Sequence, residues 1–298
     1  MSMVVKELKE LMTQQEWLDT LAKPLQNAVR GFFKSLGKAG TALADFLHGT
    51  WLGHPLHPVL TDIPIGAWIA AVVLDWMEAN TGKRGFGRSA DTAVTLGVAG
   101  AVSAAAAGLT DWQHLTGESR RTGLSHALFN TLALAFFVGS MVSRKGKNRG
   151  MGRVLALAGL SAATAGAYLG GDLVFRQKIG VNHAPEGVDT PNFEPVMAET
   201  DLPENTLKRA WLNDVPIVLL RRGEQIFALA ETCAHLGGPL ADGEIGEDDE
   251  GNPTVICPWH GSTYAMNDGR IVTGPTAYPQ PCFETRVRNY QIEVRARA

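Results

Sequence analysis

Four side chains in the last third of the chain are of metal-binding type and stand at metal-ligand spacing. Cys233-Ala234-His235 is followed, after 21 intervening residues, by Cys257-Pro258-Trp259-His260. Two thiolates and two imidazoles would satisfy a tetrahedral zinc ion, although structural zinc sites more often place two residues between paired cysteines. Gaps of one and then two residues suit a two-iron centre, in which two thiolates hold one iron and two imidazoles the other. The third cysteine, Cys282, reads as a small buried hydrophobe. A second collection of ionisable groups lies earlier in the chain: His54, His57, Asp111, His114 and His126, with Asp62, Asp172 and His183 nearby in the pattern.

The strings CAHLGGPL and CPWHGSTY resemble the two cluster loops of Rieske [2Fe–2S] proteins over residues 197–298. The resemblance implies a fold of packed antiparallel sheets carrying one [2Fe–2S] cluster at its tip. Cys233 and Cys257 would bind one iron, and His235 and His260 the redox-active outer iron. Gly274-Pro275-Thr276-Ala277-Tyr278-Pro279 resembles the proline-bearing third loop that shields such a cluster. High-potential family members carry an extra cysteine in each loop. Gly238 and Trp259 stand at those positions here, so that disulfide cannot form. Ser262 and Tyr264 match the hydroxyl residues that donate to a bridging sulfide and to a ligand sulfur. Such bonds stabilise the reduced cluster and raise its potential. The interval between the ligand pairs is long and includes an acidic hairpin, Glu244–Asn252 (EIGEDDEGN).

The elements that must position these groups differ between the two halves. The chain has 298 residues, 45% hydrophobic and 19% charged, with a net charge of −3. That composition excludes wholesale disorder and offers no basic excess for nucleic acid. Four segments reach bilayer-spanning length, near Val59–Met77, Ala90–Leu109, Leu124–Val142 and Val154–Phe175, and charges fall mostly between them. They read as an all-α four-helix transmembrane bundle in contact with membrane lipid. Gly97, Ala101 and Ala105 on one span, and Gly159, Ala163 and Ala167 on another, read as small-residue contact stripes. No internal repeat is strong enough to alter this reading. From about residue 197 short β-like runs take over: Val215–Leu220, Ile226–Ala230, Thr254–Ile256, Ile271–Val272 and Ile292–Val294. The expected organisation is an amphipathic segment (1–50), a four-span membrane domain (51–179), a linker (180–196) and an all-β Rieske domain (197–298).

Alternating spans bring His54, His57, Asp111, His114 and His126 to one membrane face, where paired imidazoles suit a b-type haem and the same pocket suits a quinone. Helix capping and interfacial hydrogen bonding are the plain alternative. The run GHPLHPVLTDIPIG, with DWQH and YLGGDLVF later, resembles an uncharacterised bacterial four-helix membrane domain often fused to Rieske modules. The expected function is membrane-anchored one-electron transfer between an unidentified donor and acceptor. The alternative is a component, or a fused form, of a Rieske-type oxygenase, with Asp111, His114 and His126 in place of the iron triad. Basic loops opposite the histidines would put the β domain outside by the charge rule. Assembly of iron–sulfur centres in the cytoplasm argues for the inner face, and the reading takes the cytoplasmic side of the cell membrane.

Overall fold

The computed structural model describes residues 15–185 and 190–297. Among them six α-helices precede a β domain. They are α1 (Leu18–Ser35), α2 (Lys38–His48), α3 (Leu56–Thr81), α4 (Arg84–Trp112), α5 (Gly117–Lys145) and α6 (Arg149–Gly171). The last is extended by one π-helical turn, Asp172–Arg176. The chain divides into two compact units. One unites the residues up to Ser35 with Leu56–Ile179, and the other unites Leu36–Pro55 with Gly180–Ala298. The N-terminal region, read from sequence as one segment, is thus shared between the units.

In the helical unit, α3 to α6 are each long and apolar enough to cross a membrane. Their loops are short, so successive helices pack antiparallel. Large aliphatic and aromatic side chains such as Ile63, Ile69, Trp76, Leu96, Leu128 and Leu157 point outward and are exposed. The inner faces carry small residues instead: Gly97, Gly100, Ala104 and Ala107 on α4, and Gly159, Ala162 and Gly166 on α6. This inside-out distribution is what lipid selects, because close backbone approach replaces the hydrophobic drive between helices. The expected stripes are corrected here. Gly97 and Gly159 are buried, but Ala105 and Ala167 are exposed. A strict four-residue step drifts around a helix of 3.6 residues per turn, whereas alternating steps of three and four keep one face.

Three pairs of side chains join α3 to α5, one at each of three levels. The His57 and His126 rings lie 6.1 Å apart at 83°. The Trp68 and Phe137 rings stack, 4.1 Å apart and 7° from parallel. Arg144 pairs with Asp75 through both guanidinium nitrogens. Each partner lies 69 residues beyond the other. The second helix of each hairpin follows the same rule at its own constant interval. A Cβ on Gly97 would strike Trp68, and one on Gly159 would strike Phe137. His57 bonds to the Ala104 carbonyl and His126 to the Gly166 carbonyl. The bundle is therefore an internal repeat, α3–α4 followed by α5–α6, which the sequence hides because meeting residues need only be complementary.

Asp75 and Arg144 belong to a larger ion network. Arg149 bonds to Glu78 and Asp91, and Arg153 to Glu78 at 2.7 Å. Arg144, Arg149 and Arg153, in and beside the basic loop between α5 and α6, are thus held in pairs within the bundle. At the other end, α1 buries Leu18, Ala22 and Gln26. Gln26 donates to the carbonyls of Trp112 and Leu115 at 2.8 and 2.9 Å, which ties α1 to the end of α4 and the turn beyond it. Asp19 pairs with Arg120 at 3.0 Å and Arg121 at 3.3 Å.

Among its described residues the β unit holds ten strands in two antiparallel sheets. One has six strands in the order β1-β10-β9-β4-β3-β2. They are β1 (Glu194–Ala198), β2 (Leu207–Leu212), β3 (Val215–Arg222), β4 (Gln225–Ala230), β9 (Cys282–Arg288) and β10 (Gln291–Ala296). The other is the four-stranded meander of β5 (Glu244–Glu247), β6 (Pro253–Ile256), β7 (Thr263–Ala265) and β8 (Ile271–Thr273). The run VPIVLLRR in β3 is buried on both faces. Val218 and Leu220 face one core with Val255 and Tyr264, while Ile217 and Leu219 face another with Phe283 and Ile292. Every β-like run expected from sequence lies in a strand. Five further strands, β1, β2, β5, β7 and β9, are shorter or more polar and carry weaker alternation.

Candidate metal centre

The two ligand pairs sit on matching loops. Cys233 follows β4 and Cys257 follows β6. In the first loop the Cys233 N–H donates to the Gly238 carbonyl, and the Gly237 N–H donates to the Cys233 carbonyl, both at 2.9 Å. In the second the Cys257 N–H donates to the Ser262 carbonyl at 2.8 Å, and the Gly261 N–H to the Cys257 carbonyl at 3.0 Å. Gly237 and Gly261 have φ of 79° and 78°, the left-handed conformation that favours glycine. Each cysteine is thereby locked at the mouth of a closed turn, with its histidine carried inside the turn.

Both thiols are buried, while His235 and His260 are half-buried. The two imidazole rings lie 5.0 Å apart and nearly perpendicular. The sulfurs are close enough to interact. Hydrogen bonding from Cys257 is the largest cause that pushes the Cys233 thiol down to about 6, against burial and with help from Tyr264 and Ser262. Cys257 is pushed up by Cys233 and by burial. The Tyr264 hydroxyl is 3.2 Å from the Cys233 sulfur. Burial lowers the proton affinity of His260.

Two observations test whether these residues fit a two-iron cluster. The Ser262 hydroxyl is buried with no hydrogen-bond partner among the described residues, although it lies near enough to Cys233 to help lower that thiol. An inorganic sulfide beside Cys233 would supply the missing acceptor. Among the described residues, no three His, Cys, Asp or Glu side chains converge on one metal-sized point. A tetrahedral zinc needs four converging ligands, whereas a two-iron cluster of this ligand type needs two per iron. The residues fit the cluster.

The third loop closes over this site. Gly274 has φ of 114°, and a Cβ there would fall 2.7 Å from the Ser262 Cα. Only glycine permits that approach. Three contacts were not foreseen from sequence. Asp45 of α2 accepts from the Thr273 hydroxyl at 2.9 Å and the Gly274 N–H at 2.9 Å, which pins the third loop. Buried Gln280 donates to the carbonyls of Ala230 and Thr232, both at 2.7 Å, and accepts from the Ala234 N–H at 3.1 Å. The His183 N–H donates to the Ala234 carbonyl at 3.0 Å, so the region read as a linker is bonded to the first loop. None of these residues adjoins a ligand in sequence. A lone Gln after a proline loop was the only available signal.

The family comparisons agree with this geometry. Residues 53–183 match the family model described as predicted membrane protein (DUF2231), and residues 192–284 match the Rieske [2Fe–2S] domain. The chain joins a DUF2231 domain to a Rieske domain. The cytochrome b6-f complex iron-sulfur subunit of Chlorobaculum tepidum is 28% identical over 95 residues, covering 32% of this chain and 49% of that one. The chain thus spans about half the length of that relative. Ferredoxin CarAc of Metapseudomonas resinovorans is 27% identical over 100 residues, 33% of this chain and 89% of that one. Among solved structures, the ferredoxin of carbazole 1,9a-dioxygenase from Nocardioides aromaticivorans IC177 aligns with a TM-score of 0.32 and 18% identity, covering 36% of this chain and 99% of that one.

In the Rieske domain the remaining sequence-marked residues fall as follows. A Cβ on Gly238 would lie 2.7 Å from the Cys257 sulfur, so this position packs directly on the site. Trp259 is exposed beside His260. Cys282 is half-buried, with its thiol 3.5 Å from the Asn267 carbonyl. The acidic excursion is the β5–β6 hairpin. Its Asp248 carboxylate accepts from the amides of Glu250 and Asn252, and from Arg270 at 2.5 Å.

In the DUF2231 domain the His57 and His126 rings come together. Asp111 lies in the last turn of α4 and His114 in the turn beyond it. His54 is exposed in the segment that belongs to the Rieske unit, its Nδ1 3.2 Å from the Pro55 carbonyl.

Proposed function

We propose that this chain is a membrane-anchored one-electron carrier. Cys233 and Cys257 would hold one iron of a [2Fe–2S] cluster, and His235 and His260 the other. The observation that carries the reading is the pairing of two buried, mutually interacting sulfurs with two half-buried imidazoles on matching loops. When bound, the cluster supplies reversible one-electron chemistry. The protein's part is to exclude water from the sulfurs, keep the imidazoles reachable, and direct the Tyr264 and Ser262 hydroxyls at sulfur. Those hydrogen bonds favour the reduced, more negative state and raise the potential. The half-buried imidazoles give a route for proton uptake coupled to electron uptake.

Ferredoxin relatives support the carrier reading over a self-contained oxygenase. Among the described residues Asp111, His114 and His126 do not gather into a two-histidine, one-carboxylate set. The four long helices cross the membrane in this reading. The cluster lies on the cytoplasmic side, and the unidentified donor or acceptor includes a group held in lipid, a quinone or a haem. The test is electron paramagnetic resonance and metal analysis of the purified chain. A rhombic signal on reduction with two irons per chain is expected, and zinc in their place would overturn the reading. Labelling of a Gly85→Cys variant decides the side, because access from outside the cell is expected only if the cluster is cytoplasmic.

A further inference from the structure

The DUF2231 domain carries two histidines that meet at one level of its repeat. His57 and His126 come from α3 and α5, at equivalent positions of the repeat. The Nδ1 of His57 donates to the Ala104 carbonyl at 2.8 Å, and the Nδ1 of His126 donates to the Gly166 carbonyl at 2.8 Å. A carbonyl only accepts, so Nδ1 carries the proton in each neutral ring and Nε2 keeps an in-plane lone pair. This second contact fixes the tautomer and orientation of metal-binding histidines in general. The Asn130 amide nitrogen lies 3.4 and 3.3 Å from the two ring nitrogens of His126 and donates to its own helix, to the His126 carbonyl, at 2.9 Å. Being nearly equidistant from both, it stands off the Nε2 lone pair.

Room has been made for these rings twice over. A Cβ on Gly108 would fall 2.8 Å from the His57 ring, and one on Gly170 3.1 Å from the His126 ring. The carbonyl partners and the two glycines are repeat-equivalent, so the same device is built once per hairpin. Metal–imidazole bonds of about 2 Å on opposite sides of one ion put ring centres about 6 Å apart. The observed separation is 6.1 Å.

The missing ligands identify the ion's class. Among the described residues no third His, Cys, Asp or Glu joins this pair. Zinc needs four donors and hard divalent cations need six or more, so a bare ion would be underligated in a setting that disfavours charge. An iron porphyrin brings four nitrogens of its own and needs two axial donors. Between the histidine level and the Trp68–Phe137 level lie 11 residues of helix, about 16 Å of rise. The buried inner positions there are small, Gly100, Ala104, Ala133, Ala162 and Gly166, with Pro64, so a macrocycle would displace only the side chains that now rest on the two glycines, Ile63 and Asn130.

We propose that His57 and His126 are the axial ligands of a haem held within the DUF2231 domain. Binding forms two bonds from the Nε2 lone pairs to iron and releases the solvent or hydroxide ligands of free haem. No electron is transferred in that step. The proposal deepens the reading of this chain as an electron carrier, since it names the lipid-side group.

The test uses the full chain, purified from haem-supplied cells and titrated with haemin. One haem per chain is expected, with a sharp Soret band and the narrow visible bands of a six-coordinate low-spin iron. His57→Ala and His126→Ala should each lower the haem-to-protein ratio about tenfold or more, and His114→Ala should leave it unchanged. His57→Met, which keeps an axial donor, should retain haem with a shifted spectrum. The cluster's paramagnetic signal in the same samples reports folding. Haem absent from the wild type after titration, or a Soret band unchanged in both alanine variants, overturns the proposal while leaving the cluster reading intact. Haem without a cluster signal overturns the carrier reading and leaves this one standing.

Discussion

The helical and β units solve one problem by opposite means. Each brings a pair of side chains from two equivalent elements together. In the Rieske domain the donors sit in loops, and closed turns of backbone amides fix Cys233 and Cys257. The ligand spacing is local and hence readable. In the DUF2231 domain His57 and His126 sit on long helices, and carbonyls of neighbouring helices fix their rings. Their spacing is the length of a whole helical hairpin, which no short motif can encode. Loops write a site into adjacent residues, whereas helices write it into register.

The sharpest way to break the comparison is to remove a loop donor. Cys233→Ser should abolish the cluster's paramagnetic signal altogether, while the helical unit, whose pairs are independent of it, keeps its detergent-solubilised melting behaviour. A retained signal would sever the link between the loops and the metal.

Next in size is the helical register. Arg144→Ala leaves Asp75 buried without its guanidinium. Loss of one partner of a buried pair costs about 3–5 kcal/mol, so thermal stability of the solubilised protein should fall steeply. Joint replacement of Asp75 and Arg144 by leucine and methionine should recover most of that loss, because neither charge is then left unpaired. No recovery would mean that the wider network with Asp91, Arg149 and Glu78 needs the pair's charge.

A smaller effect sharpens the account of the β site. Tyr264→Phe removes the hydroxyl 3.2 Å from the Cys233 sulfur. Loss of about 1 kcal/mol of preference for the reduced state is roughly 40 mV in a one-electron couple. Redox titration should find the midpoint lowered by about that amount, with the cluster content unchanged.

The smallest expected change concerns the acidic hairpin. Burial would raise the Asp248 carboxyl, but hydrogen bonds from the Asn252 side chain and the 252 and 250 amides, with the Arg270 charge, outweigh it and hold it below its ordinary value. A depressed carboxyl contributes stability above its unfolded value, near 4, and loses it as pH falls through the lower folded value. The melting temperature of Asp248→Asn should therefore trail the wild type at pH 7 and converge with it in acid below about pH 4.

Much of both units was legible residue by residue. The ligand strings marked the two loops on which the thiol–imidazole pairs sit, and the four long apolar segments carried the helices to within a turn or two of their ends. The small-residue stripes were half right. Gly97 and Gly159 lie at the contact, but a four-residue step carried the reading onto exposed Ala105 and Ala167. Alternation of spans puts five groups at one end, but the meeting of the His57 and His126 rings was not legible, because rotation about each helix axis is set by packing and not by depth. Asp45 and Gln280 were invisible, since each acts on a cluster loop from a distant point in the chain.

What the sequence by itself determined is therefore composition and local spacing: four lipid-length helices, a β domain, and two thiol–imidazole pairs. Those follow from interactions within a few residues, where chemistry and order coincide. Only the tertiary structure decided that the helices form a repeat, that three levels of side chains meet across it, and that the region before the first span divides between the units. Contacts at an interval of 69 residues depend on helix rotation and on which backbone carbonyl each side chain can reach, and neither quantity is written in the order of neighbouring residues.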